Sequence, residues 1–312
     1  MEARLFFLSL WCGLYAFLVR FFLKKESTQK NPFFVVVMNA FFWATAGVMV
    51  GMLTASYREK VDQADQMAII FGLVAGLIGA IVGFIVAKKE VKKEALIKDN
   101  LEWADTGFSA ILLASVVMFF LFQAFKIPSG SMRMTFVEGD HLFVLKCAYG
   151  FPIPFTRKKI IPFQQVKRGD IVIFRYPAKS KEDGNYGKDF IKRVIGLEGE
   201  TLELKNKQLY INGVPLDESY KQHVVNTIYE GNPLPKDEYQ MAWENGEFAS
   251  PSSIDIRDNF GPITIPSGKV FVMGDNRDRS FDSRYWGPLR KDEIKGRAGL
   301  RYWPLSRFKL VK

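Results

Sequence analysis

Histidine and cysteine are almost missing from this chain, with two of each in 312 residues. Cys12 lies in an apolar run and Cys147 far beyond it, so no disulfide framework and no cysteine-rich metal site can be assembled. His141 opens a β-patterned segment and His223 sits in a polar stretch, which leaves a serine–histidine–aspartate triad little to draw on. Long helical periodicity is lacking in the second half. No recognised nucleic-acid motif occurs, and acidic residues are interspersed through a chain of formal charge +10. Nucleic acid is therefore excluded as an expected partner.

What is present is unevenly placed. Hydrophobic residues make up 48% of the chain, with 28 Phe, and the long apolar runs crowd into the first 125 positions. That part carries 12 basic and 10 acidic residues, whereas the remainder carries 31 against 23, a net of +8. A basic domain tethered to a bilayer is drawn toward anionic headgroups. Runs at 5–23, 33–53, 67–87 and 108–125 are each about long enough to cross a hydrocarbon core of roughly 30 Å. The first is read as a retained span, because its positive charges follow the apolar stretch and no small-residue cleavage site comes after it. Residues 24–32 hold three lysines and residues 88–107 hold five, against Arg4, Arg58 and Lys60 on the other side. That asymmetry puts the lysine-rich loops in the cytoplasm and everything after Phe125 outside. Gly72/Gly76 and Gly79/Gly83 suit close helix packing, within the bundle or between chains.

After Lys126 the apolar pattern shifts to alternation. Segments 140–146, 170–176, 190–197, 201–204, 208–211 and 269–273 are rich in Val, Ile, Phe and Tyr and read as strands. Asn212-Gly213 is a two-residue hairpin turn signal. The expected architecture is a bundle of about four membrane helices (1–125) followed by an all-β domain (126–312). Within that domain, residues of about 217–262 form a polar insertion with Pro233, Pro251 and several glycines, little regular structure and no motif.

Three short blocks carry the chemistry. The first is Pro128-Ser129-Gly130-Ser131-Met132, just past the last apolar run. A hydroxyl there is a nucleophile if a base lies beside it, and a polar turn at a helix end if none does. The second is Asp189-Phe190-Ile191-Lys192-Arg193-Val194. A free lysine of pKa about 10.4 is protonated at neutral pH, and serves as a base only when burial depresses that value. Strand alternation puts Lys192 and Arg193 on opposite faces, one of them inward if the strand is covered on that side. An exposed edge-strand lysine fits the same residues. The third is Gly274-Asp275-Asn276-Arg277-Asp278-Arg279-Ser280-Phe281-Asp282-Ser283-Arg284, in which charges of both signs interleave.

Together, in this order, the blocks resemble the type I signal peptidases (leader peptidases), membrane-bound serine proteases with a serine–lysine dyad. The likeness extends from Ile127 to about Trp303. It implies Ser131 as nucleophile, Lys192 as general base, Ser129 as an oxyanion donor beside the Ser131 N–H, and Ser280 as the residue that hydrogen-bonds and holds the lysine. Arg193, Gly274, Asp275, Arg277, Asp282 and Arg284 fall on positions that support the site. No metal or cofactor is implied. The implied substrates are preproteins bearing signal peptides, cut after small residues at the outer face of a bacterial cytoplasmic (inner) membrane, with the catalytic domain on the periplasmic side. The family commonly has one or two spans, so four is a departure. Another is Met134, where S-M-x-P-T sequences carry proline. These departures leave room for a dyad protease with a restricted substrate set. An inactive membrane-anchored binding domain is the alternative from another class.

Overall fold

The computed structural model describes residues 2–57, 61–153, 156, 158–231, 234–249 and 256–311. Arg58, Lys60, Pro233 and Pro251 lie outside the described residues. The chain divides into two compact units, Met1–Phe119 and Phe120–Lys312.

The first unit is helical: α1 (Glu2–Leu23), the short α2 (Glu26–Gln29), α3 (Pro32–Tyr57), α4 (Val61–Ala87), α5 (Glu90–Glu102) and α6 (Phe108–Phe120), the last two joined through a π turn at Trp103–Gly107. Pro32–Gly51, Ile69–Ala87 and Lys92–Phe120 are long and apolar enough to cross a bilayer, while Leu8–Leu23 is apolar but shorter. Several long apolar helices are thus present in this unit. The paired glycines have a clear use within the chain. A Cβ added at Gly72 would lie 2.6 Å from Val48 Cγ2, one at Gly76 3.1 Å from Ala44 Cβ, and one at Gly79 2.7 Å from Trp43. Small residues on α4 therefore let α3 approach closely, the expected mode of packing where lipid offers no hydrophobic drive. Buried Asn39 seals the contact by donating to the Gly79 carbonyl at 2.7 Å.

The apolar run expected to continue to residue 125 stops being helical at Phe120. Residues from Phe122 onward form β1 (Phe122–Lys126), paired antiparallel with β2 (His141–Leu145). A continuous apolar run fits either element, and here the edge of β2 supplies the backbone partners.

The second unit is mostly β. After β3 (Phe151–Pro152) and β4 (Lys159–Ile160) come β5 (Ile171–Arg175), β6 (Asp189–Gly196), β7 (Thr201–Lys205), β8 (Gln208–Ile211) and β9 (Val214–Pro215). They are followed by helix α7 (Lys236–Glu244), β10 (Phe260–Thr264), β11 (Lys269–Met273), the one-turn α8 (Ser283–Trp286), β12 (Leu289–Arg290), β13 (Ile294–Trp303) and β14 (Lys309–Leu310). The main sheet runs β1-β2-β13-β5-β6-β11-β12 with β14 on β13, and a smaller sheet runs β10-β7-β8-β9. Asn212 and Gly213, at φ 50° and 80°, make the β8–β9 turn with the left-handed pair that this hairpin type requires.

Strand β5 is buried along Ile171-Val172-Ile173-Phe174 because both of its faces are covered. Ile171 and Ile173 pack with Ile127, Met132 and Ile191, whereas Val172 and Phe174 pack with Val194, Val272 and Trp286. Strand β6 lies between β5 and β11 and shares this double cover. Consequently Lys192 and Arg193, on opposite faces of β6, are both buried, at 4% and 6% exposure. The insertion is also more ordered than its proline and glycine content suggests. Tyr239, Ala242 and Trp243 form the inner face of α7 and pack with Phe260 and Phe271.

Candidate active site

Ser131 sits in a short helical turn, Gly130–Met132, whose position is set by burial of Ile127 and Met132 on either side. Its Oγ lies 2.7 Å from Lys192 Nζ, although the two residues are 61 positions apart. Both are almost fully enclosed. Burial pushes the Lys192 amine down to about 8, opposed by the nearby Asp282 and Asp275 carboxylates and helped by the Arg284 cation. The Phe190 ring, two residues back on the same strand face, lies 5.5 Å from Nζ and supplies part of the apolar wall. An amine so placed is within hydrogen-bond reach of a hydroxyl and can be neutral near physiological pH. Of the two histidines, His223 is bonded to Asp278 at 3.2 Å and His141 faces the Tyr302 hydroxyl at 3.4 Å.

The third block closes around the serine turn. Asn276 N–H donates to the Ser131 carbonyl at 3.0 Å, and Asn276 Nδ2 donates to the Gly130 carbonyl at 3.2 Å. Gly274 is required for space. A Cβ there would lie 2.5 Å from the Ser131 carbonyl oxygen and 2.3 Å from Ser280 Oγ. Gly274 N–H donates to Ser280 Oγ and to Asp282 Oδ2, each at 3.1 Å. Ser280 is also hydrogen-bonded to Asp282. Ser280 thus braces the Gly274 backbone and the Asp282 carboxylate, whose charge acts on the Lys192 amine.

Charged partners of the site pair off in a buried network. Arg193 grips Asp275 through Nε and Nη2 at 2.9 and 2.8 Å, and Thr135 donates to the same carboxylate at 2.5 Å. Arg284 takes both oxygens of Asp282 at 2.9 Å, and also donates to the Arg257 and Arg277 carbonyls. Burial pushes the Asp282 carboxyl upward, but Arg284 and the Ser280 and Gly274 donors outweigh it and hold the group below its ordinary value. Arg277 donates to the Gly274 carbonyl at 3.1 Å and pairs with both oxygens of Glu218. Ser129 is exposed and extended, at φ −147° and ψ 160°, with its side chain not engaged in capping the turn.

Thr135, Asn276 and Glu218 are members of this network that sequence reasoning overlooked. Asn276 stood inside the third block and could have been found there. Glu218 lies in the insertion, 59 positions from its partner, and nothing local marks it. A second cluster, His223, Asp258 and Asp278, has the ligand types of a metal site. Arg257 already pairs with both carboxylates, 2.7 Å from Asp258 and 3.6 Å from Asp278, while Asp278 also receives the Val224 and Val225 N–H groups. Its donors are those of a cross-link holding the insertion to the third block.

Residues 100–303 match the family model described as signal peptidase, peptidase S26. The signal peptidase I of Pseudomonas aeruginosa is 36% identical over 204 residues, 64% of this chain and 66% of that protein. Signal peptidase I P of Bacillus subtilis subsp. natto is 33% identical over 226 residues, 72% of this chain and 98% of that protein. Among solved structures, a signal peptidase I of Enterococcus faecalis V583 is 32% identical, covering 43% of this chain and 97% of that one, with a TM-score of 0.28. The chain belongs to the signal peptidase family, peptidase S26, a family of serine endopeptidases.

Proposed function

We propose that this protein removes signal peptides from exported preproteins, with Ser131 as nucleophile and Lys192 as general base. The observation that carries the reading is the 2.7 Å contact between Ser131 Oγ and a lysine amine kept from water. Neutral Lys192 accepts the hydroxyl proton as Oγ attacks the scissile carbonyl. The developing oxyanion is received by the Ser131 N–H and, once substrate seats, by the Ser129 hydroxyl. Collapse of the tetrahedral intermediate breaks the C–N bond, and the lysine ammonium returns the proton to the leaving amine. Water, deprotonated by the same lysine, then hydrolyses the acyl-enzyme ester. Asp275, Arg193, Asp282, Arg284 and Arg277 hold the two reacting side chains in register and touch no substrate.

The lysine-rich loops at 24–32 and 88–107 favour the cytoplasm, which sets the β-rich unit on the extracytoplasmic, periplasmic side of a bacterial inner membrane. There, close in sequence to the last span, Ser131 meets a peptide bond just beyond a membrane-held apolar segment. A second reading, a dyad protease with a restricted substrate set, is favoured by Met134 at φ 86°, a conformation closed to the proline found there in S-M-x-P-T sequences. Purified protein in detergent, given several secretory precursors, tests both. Removal of the signal peptide after a small residue from each precursor supports the first reading; cutting of a single precursor supports the second. No cutting of any precursor overturns the first reading.

A further inference from the structure

The turn bearing the nucleophile carries a feature that the reaction above does not use. Arg133 and Glu138 form a two-pronged ion pair, Nη2 to Oε1 at 2.6 Å and Nε to Oε2 at 3.2 Å. Both side chains are open to solvent, at 47% and 34% exposure. The pair is laid directly over Gly130, since a Cβ added there would sit 2.6 Å from Glu138 Oε1 and 2.8 Å from Arg133 Nε. Gly130 immediately precedes Ser131, and consecutive α-carbons are about 3.8 Å apart. A peptide whose carbonyl reaches Ser131 Oγ therefore runs its neighbouring residues within reach of this pair. The pair's base is fixed rather than loose: Thr135 is bonded to Asp275 and Arg193, and the Gly130 and Ser131 carbonyls are held by Asn276. Each partner holds the other in its charged form, through a hydrogen bond that lifts the guanidinium value and lowers the carboxyl value.

We propose that the Arg133–Glu138 pair is a specificity-determining lip on the substrate cleft, which senses the charge of substrate residues flanking the scissile bond. The inference rests on Ser131 being the nucleophile. With both members present the lip has no net charge, and neutral flanking residues pass it without penalty. Removing one member leaves a single charge beside the nucleophile, and its sign decides which substrates gain.

The test uses the full-length protein in detergent and three peptide substrates that share one cleavage sequence and carry Ala, Lys or Asp beside the scissile bond. Rates are read as Lys/Ala and Asp/Ala ratios, so that any loss common to all substrates cancels. Arg133→Ala, which leaves the Glu138 carboxylate, is expected to raise the Lys/Ala ratio and lower the Asp/Ala ratio, each about two- to fivefold at low salt. Glu138→Ala is expected to shift both ratios the opposite way. The exchange Arg133→Glu with Glu138→Arg restores a neutral lip and should return both ratios toward wild type. Each shift should shrink as ionic strength approaches 1 M, where the screening length falls to about 3 Å. Unchanged ratios, or shifts of the same sign in both single variants, overturn the lip and leave the peptidase reading intact. If the wild type cuts none of the peptides and no precursor, both fall together.

Discussion

If Lys192 is the base, its protonation should govern the rate, and the structure sets where that happens. Burial brings the amine down to about 8 from the 10.5 of an exposed lysine. At pH 7 about one molecule in ten then carries the neutral amine, against about one in 3,000 at the unperturbed value. That enrichment, about 300-fold, corresponds to about 3 kcal/mol. We therefore expect kcat/KM on a neutral peptide to climb about tenfold from pH 6 to 7 and to level above pH 8–9, with one ionisation near 8. The same shift has a cost in stability whose sign is fixed. Between about 8 and 10.5 the unfolded chain holds a proton that the folded chain has released, so stability rises with pH across that window. Below it, folding forces a charge into an enclosed site. Lys192→Met, which fills the site without a charge, should then raise the unfolding midpoint in detergent at pH 7, an advantage of up to about 3 kcal/mol that shrinks by pH 10. A rate ionisation near 10.5, or a Lys192→Met variant less stable than wild type at pH 7, would refute the reasoning.

Other consequences are more local. Gly274→Ala drives a methyl into the Ser131 carbonyl and Ser280, neither of which is free to move, so activity should drop at least tenfold with a lower melting midpoint. Full activity would mean the turn is looser than described. Glu218→Ala strands the buried Arg277 guanidinium, and removing one partner of such a pair costs about 3–5 kcal/mol; a change below 1 kcal/mol in denaturant unfolding would contradict the pairing. Met134→Pro demands φ near −65° where the chain adopts 86°, so it should cost about 1–3 kcal/mol, as strained backbone does, and disturb cleavage. A neutral outcome there would argue against the left-handed turn.

Much of this site was legible in the sequence, for identifiable reasons. Strands β2, β5, β6, β7, β8 and β11 show as alternating or apolar runs bounded by turn residues, and the structure places them within about a residue of those limits. Strand β13 escaped notice because Ile294-Lys295-Gly296-Arg297-Ala298-Gly299 mixes charge and glycine. Its glycines serve close approach, a Cβ at Gly296 meeting the Leu145 carbonyl at 2.5 Å. Helix α7 was hidden by the surrounding prolines and glycines, although Tyr239, Ala242 and Trp243 have helical spacing. The Ser131–Lys192 contact needed two distant segments to meet, which local pattern does not encode; only the order of the three blocks pointed to it. The same limit hid Glu218 and Thr135, whose partners lie 59 and 140 positions away.

The central claim is that Ser131 is made nucleophilic by Lys192. The most direct test treats the full-length protein in detergent with a serine-acylating reagent and locates the added mass by peptide mapping. The account predicts a single modified residue, Ser131, with labelling abolished in Ser131→Ala and slowed at least a hundredfold at pH 8 in Lys192→Ala, both variants remaining folded. Modification of another serine, or equal labelling rates with and without Lys192, would contradict it.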